Sequence, residues 1–410
     1  MRILFAHPHF PAQFKHLVPR LLDRGDQIWA LRQPGLKQTN HHASLGIRPY
    51  KLSRGNGVDT HPLLLETESK VIRGMAAAEQ AINLRDQGLS PDLIVGHPGW
   101  GEMLFLSDIW PQVPQLHYLE FFYGVPGTDH DIDDIYAKSS SFEEKAKLRL
   151  KNANLLLNLD QMTAGISPTY FQRSLFPEWA QNRCNVIHDG IDLDWLLPNN
   201  SAQLILPSGQ KLCAGDPVVT FINRTFEPYR GIHIFLDALV HIQEKHSTAQ
   251  VLLVGEDTPK VSYGSHRKDQ LGWLTSLRKD HGDELDWSRI HCLGSIPHSH
   301  LKKVYQVSAV HVYFTYPFVL SWSMLEAMAC GCLVVGSATQ PVEEVICDGD
   351  NGFLVPFHDS KELANIALKA LHQPQSMASV RRKARKSMSA FALPQCLSQQ
   401  ISLIDELVLV

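Results

Sequence analysis

A chain of 410 residues, 44% hydrophobic and 20% charged, is too long for one ordinary core, so two domains are expected. Its formal net charge of −4 gives no electrostatic reason to expect nucleic acid, whose binders usually carry a basic face. The seven cysteines show no paired spacing, which argues against a disulfide framework and for a reducing, cytoplasmic compartment.

The opening MRILFAHPHF carries one arginine and an apolar run too short for a signal peptide, so it reads as a first strand. No stretch approaches the length of a membrane span, while peripheral contact with a bilayer stays open. RILFA (2–6) reads as a buried strand, FKHLVPRLLDRG (14–25) as an amphipathic helix closed by Gly25, and QIWAL (27–31) as a second strand. DLIVGH (92–97) and NLLLNL (154–159) are strand-like, and NVIHDG (185–190) ends this series. Short apolar runs separated by helical stretches indicate βαβ units and a parallel sheet buried on both faces.

After a polar segment (197–217) the pattern restarts. PVVTFIN (217–223) reads as a strand, GIHIFLDALVHIQEKH (231–246) as a helix, and AQVLLVG, RIHCLG, AVHVYFT and CLVVGS as further strands. The expectation is therefore α/β, with two serial Rossmann-like domains over 1–195 and 196–380 and a helical tail, 381–410, that packs back on the first. Ligands of such sheets collect at the carboxyl ends of strands, where loops and helix N-termini converge.

FINRTFEPYRGIHIFLDAL (221–239) leads from a strand to Arg224 and Arg230, and then to Gly231 at a helix start. Arginine's planar fork suits phosphate oxygens, and a helix N-terminus adds unsatisfied N–H groups. The plainer alternative is a solvated loop with two surface arginines. In SWSMLEAMAC (321–330), Ser321, Trp322 and Ser323 open a helix. Ser323 and Glu326 have the spacing of a capping box, in which the carboxylate reaches back to its own helix end. Facing a cleft, Glu326 would instead accept hydrogen bonds from paired sugar hydroxyls.

GHPGWGE (96–102) places His97 where a strand meets its loop, among glycines that let backbone approach a ligand closely. His7-Pro8-His9 lacks a third partner at metal-ligand spacing, so no metal is expected there. Glu120 follows a strand among aromatics, either as a satisfied core acid or as a group that orients an acceptor hydroxyl. The acidic DHDIDD (129–134) reads as a solvated loop, and Cys330-x-Cys332 as core. Neither a dinucleotide glycine loop, a P-loop nor a Gly-x-Ser-x-Gly elbow is present. What remains is a two-domain α/β enzyme that holds a phosphate by arginines and a helix end.

Three segments resemble a known family. VIHDGIDLDW (186–195), NRTFEPYRG (223–231) and LEAMACGCLVVGSATQPVEEVICDGDNGFLVPFHD (325–359) are similar to the hinge, phosphate loop and nucleotide block of the retaining family 4 glycosyltransferases, glycosyl transferases group 1. Asp189 stands where that hinge usually has asparagine. HPHFPAQFKHL, GHPGWGEMLFL and SPTYFQRSLFP look like the first half of a bacterial polysaccharide-type subgroup.

The resemblance implies a GT-B fold, two Rossmann-like domains facing across a cleft. It also implies transfer of a sugar from a nucleoside-diphosphate sugar, UDP-sugars favoured, to a hydroxyl of a glycan, a lipid-linked carrier or a small molecule. Neither metal nor cofactor is implied. Arg224 and Arg230 would neutralise the donor diphosphate, Glu326 would hold the ribose, and Ser321, Trp322 and Ser323 would touch phosphate or sugar. Ile296 would read the base, Glu256 would face the donor, and His97 would meet the transferred sugar. Phe10, Gln13, Trp100, Glu102 and Glu120 are the acceptor-side candidates. One departure is Phe318, where the family commonly has a glutamate; it affects donor choice more than nucleotide binding. A nucleotide-sugar epimerase and an inactive nucleotide-binding partner are the competing classes, the latter favoured by Phe318.

Overall fold

Aliphatic runs become parallel strands, and the polar joints between them become turns and helix starts. The computed structural model describes residues 1–36, 42–124, 141–264, 267 and 269–409. One sheet contains β1 (Arg2–Ala6), β2 (Gln27–Arg32), β3 (Leu45–Pro49), β4 (Leu93–Gly96), β5 (Gln115–Tyr118), β6 (Ala164–Ser167) and β7 (Cys184–Val186). Its order is β3-β2-β1-β4-β5-β6-β7, and every pair is parallel.

A hairpin of β8 (Gln203–Ile205) and β9 (Lys211–Cys213) occupies the segment expected to be a plain joint. The second sheet contains β10 (Val218–Thr225), β11 (Gln250–Glu256), β12 (Ile290–Cys292), β13 (Val310–Tyr313), β14 (Leu333–Ser337) and β15 (Phe353–Val355). Its order is β12-β11-β10-β13-β14-β15, again parallel throughout.

Chain contacts divide the molecule into two units. One holds the described residues up to Gly190 and those from Leu393 onward; the other runs from Ile191 to Ala392. In the first, Phe14, Leu17, Val18 and Leu21 cover β1 and β4 together with Leu397 and Ile404 of the C-terminal helix Leu393–Leu409. Ala76, Ala77, Ala81 and Leu84 of the helix Leu65–Asp86 contribute to a separate apolar cluster with Leu4, Leu31 and Ile94. In the second, β10, β13 and β14 are almost entirely buried, as strands between two layers of helices must be.

One predicted strand is wrong. NLLLNL lies inside the helix Ala153–Gln161. Periodicity alone does not separate a short apolar run in a strand from one in a buried helix. Here the asparagines decide: Asn154 and Asn158, one helical turn apart, both donate to Pro98 O, at 2.5 and 3.3 Å. No helix among the described residues is long and apolar enough to cross a membrane.

Candidate active site

In the second unit, β10 shifts register against β11 between Ile222 and Thr225, and Arg224 falls in that irregular stretch, exposed. Arg230 is buried instead. Its Nη1 donates to Tyr313 Oη at 3.3 Å, Thr315 Oγ1 at 2.8 Å and Val319 O at 3.2 Å. The guanidinium lies 5.4 Å from the Tyr263 ring and 5.9 Å from the Phe318 ring. Arg230 thus braces the loop that follows β13 from one nitrogen. Gly231, at φ 69°, turns the chain into the helix Ile232–Lys245, and a Cβ there would stand 2.6 Å from Phe314 Cβ.

The bracing continues to a helix end. Tyr313 Oη accepts the Ser321 N–H at 2.8 Å, and Ser321 Oγ caps the helix Trp322–Ala329 by accepting the Ser323 N–H at 3.3 Å. The Ser321 and Ser323 amides, expected to meet phosphate or sugar, are therefore engaged within the chain.

Glu326 is buried and does not close a capping box. Its Oε2 accepts from Tyr305 Oη at 3.2 Å, and its Oε1 lies 2.9 Å from His298 Nε2. Burial first, and then the neighbouring Glu326, raise the Tyr305 phenol well above its ordinary range, so it stays a proton donor. Ile296 and Trp322 are partly buried against the apolar cluster of this unit, and Glu256 is exposed at the end of β11.

Phe318 is buried, edge-on to Tyr229 at 5.7 Å and to Tyr263 at 4.7 Å. Sequence reading missed Glu227. It is buried within NRTFEPYRG, accepts from Thr225 Oγ1 at 2.9 Å and Tyr263 N–H at 3.0 Å, and is pushed upward in pKa chiefly by burial. Its signal was present as an acid flanked by two arginines, but the arginines drew the phosphate reading.

In the first unit, His97 is buried just past β4. Its Nδ1 accepts the Gly99 N–H at 3.0 Å, so in the neutral ring the hydrogen is on Nε2, 3.4 Å from Glu120 Oε2. The rings of His7, Trp100 and Tyr118 surround it at 5.9, 5.9 and 6.0 Å. Burial, followed by the charges of His97, His9 and Arg73, pushes His7 down to about 2, which keeps it neutral.

Trp100 is exposed and Glu120 partly so, whereas Phe10 belongs to the apolar core and Glu102 is wholly buried. Tyr50 donates its hydroxyl hydrogen to Glu102, with Arg73 Nε 3.7 Å away, and burial raises the Glu102 pKa. Gln13 is partly buried, its Nε2 without a hydrogen-bond partner among the described residues. The glycines of GHPGWGE serve the chain's own packing: at Gly101, with φ 111°, a Cβ would lie 2.4 Å from Lys70 O. The acidic run 129–134 lies outside the described residues. Among the described residues no cluster suited to a metal ion occurs.

Residues 24–196 match the model of the glycosyl transferase family 4 group, and residues 208–387 that of glycosyl transferases group 1. A D-inositol 3-phosphate glycosyltransferase of Mycobacteroides abscessus is 28% identical over 45% of this chain and 38% of its own length. One from Corynebacterium jeikeium is 25% identical over 68% and 64%. A phosphatidyl-myo-inositol mannosyltransferase of Mycobacterium leprae is 24% identical over 79% of this chain and 86% of that protein. The matches thus span 38% and 64% of the first two relatives.

Among solved structures, sucrose-phosphate synthase from Thermosynechococcus elongatus superposes with a TM-score of 0.73 at 19% identity, over 99% of both chains. Anabaena HepE, solved with UDP-glucose, gives 0.67 at 18% identity, over 99% of this chain and 100% of that one.

Proposed function

Because the chain belongs to the glycosyl transferases group 1, with a family 4 first half and the GT-B fold, we propose that it transfers a sugar from a nucleoside-diphosphate sugar to a hydroxyl acceptor with retention. UDP-sugars are the favoured donors, a choice supported by the UDP-glucose bound in HepE. The acceptor is a hydroxyl of a glycan, a lipid-linked carrier or a small molecule.

The observation that carries this reading is the fixed Glu326 carboxylate on a helix whose start is held, through Tyr313, by Arg230. As the donor's anomeric carbon gains positive character, the departing diphosphate gains negative charge. Arg224 and the dipole of the helix Trp322–Ala329 stabilise that charge without reorganising. Arg230 acts on the same charge from behind, through the loop it holds. Glu326 takes the ribose hydroxyls, and His97, by likeness to the family, is assigned to the sugar itself. The leaving phosphate oxygen takes the acceptor's proton, so no protein base is needed, and the reaction runs without metal or cofactor.

Phe318 favours a second reading, nucleotide binding without turnover. One experiment separates the two. The chain is incubated with UDP-, GDP- and ADP-sugars and a panel of hydroxyl acceptors, with and without EDTA, while nucleotide release and new glycoside are followed. Acceptor-dependent release that survives EDTA supports transfer. Isomerised donor without acceptor would instead mark an epimerase, and binding without release an inactive partner.

A further inference from the structure

The two oxygens of Glu326 are held by neighbours of different kinds. Tyr305, 1% exposed, reaches Oε2 from inside the core. His298 reaches Oε1 with a side chain that is 47% exposed. Of these two partners, only His298 meets solvent. Pro297 precedes it and His298 opens the helix His298–Val307, which fixes its backbone. The imidazole lies 4.7 Å from the Trp195 ring, tilted by 41°, and Lys302 Nζ stands 4.9 Å from that indole. Trp195 in turn packs against the apolar cluster of its unit. An indole anchored in this way holds the ring plane, and with it the direction of Nε2.

A carboxylate offers about four acceptor directions. His298 and Tyr305 occupy two, which leaves two for a pair of adjacent hydroxyls. The last torsion of a glutamate is broad, so a carboxylate held on one oxygen alone swings. We propose that His298 is a positioning residue: it fixes Glu326 so that the remaining lone pairs meet the ribose of a nucleoside diphosphate. This rests on the reading of Glu326 as the ribose seat, and the experiment is arranged so that the two fail separately.

Binding of UDP, GDP and ADP to the full chain is measured by calorimetry, alongside donor kinetics. His298→Phe keeps a ring on Trp195 but loses the N–H, whereas His298→Gln keeps an N–H without the ring. The expected result for His298→Phe is about tenfold weaker nucleotide binding and a matching rise in donor KM, with kcat within about twofold. His298→Gln restores most of the loss. Glu326→Ala weakens binding at least as much, and adding His298→Phe to it has no further effect, because the two act through one contact. Wild-type or tighter binding by His298→Phe, with Glu326→Ala still weak, overturns the positioning role. Unchanged binding by Glu326→Ala overturns the ribose seat, as does a wild-type chain that binds none of the three nucleotides. Should His298→Phe fold poorly, His298→Leu, which also keeps an apolar side chain against Trp195 and has no N–H to offer, supplies the same comparison.

Discussion

The Tyr118 hydroxyl is shared between both carboxylate oxygens of Asp189, at 3.0 Å to each, in the buried interior of the first unit. The Tyr118 ring also lies beside His97. Tyr118→Phe therefore removes a donor from a buried acid and costs about 2 kcal/mol of stability, read from urea unfolding. Asp189→Asn, which retains an acceptor and restores the family's usual residue, changes stability by less than about 1 kcal/mol. Equal losses in the two variants would show that this hydrogen bond is not what holds the pair.

Arg224 and Arg230 are separable. Arg224 is exposed and Arg230 is buried with three acceptors on one nitrogen. Arg224→Ala is expected to lower turnover on the order of 10²-fold while leaving the unfolding midpoint unchanged. Arg230→Ala lowers both, because three acceptors lose their donor and the start of the helix Trp322–Ala329 loosens. Turnover by Arg224→Ala within about threefold of wild type would remove it from leaving-group stabilisation.

Two histidines predict the response to acid. Burial pushes His117 and His311 from 6.5 down to about 3 in the fold. The unfolded chain therefore binds their protons first. Their contribution to stability is complete above about pH 6.5 and is lost as pH falls toward about 3, amounting to about 2 kcal/mol per histidine by pH 5. Urea unfolding at pH 7.5 and pH 5 measures this. The double variant His117→Gln, His311→Gln should lose about 4 kcal/mol less between those two values than the wild type does. A wild-type midpoint that is flat over this interval contradicts the assignment.

Phe318 fills space among Tyr229 and Tyr263, and is 4% exposed. Phe318→Ala should cost about 3–5 kcal/mol through the cavity it leaves. Thermal unfolding checks this directly, and a drop of less than a degree or two would mean that the aromatic cluster closes over the gap.

Much of this arrangement was legible in the sequence. The central strands of both sheets announced themselves because two-sided burial demands continuous aliphatic runs, as in RILFA and VVTFIN. The half-buried β3 and the short β6 and β15 carry no such run and went unread. NLLLNL misled for the same reason: its two asparagines, which hold Pro98 O, look like strand ends until the partner on another segment is known. Arg230 and Glu326 stood out by residue type, but their tasks depend on Tyr313, Thr315, His298 and Tyr305, which spacing cannot bring together. Glu102 shows the converse, an acid in a glycine loop that the fold turns inward to Tyr50.

The helix Leu393–Leu409 emerges from the ribosome only after the whole of the second unit, yet Leu397 and Ile404 belong to the core of the first. During synthesis the earlier-made unit therefore waits, with one oily flank uncovered, while the later-made unit has everything it needs to close. Order of manufacture and order of completion are reversed in this protein, and a stalled nascent chain would present that flank to chaperones.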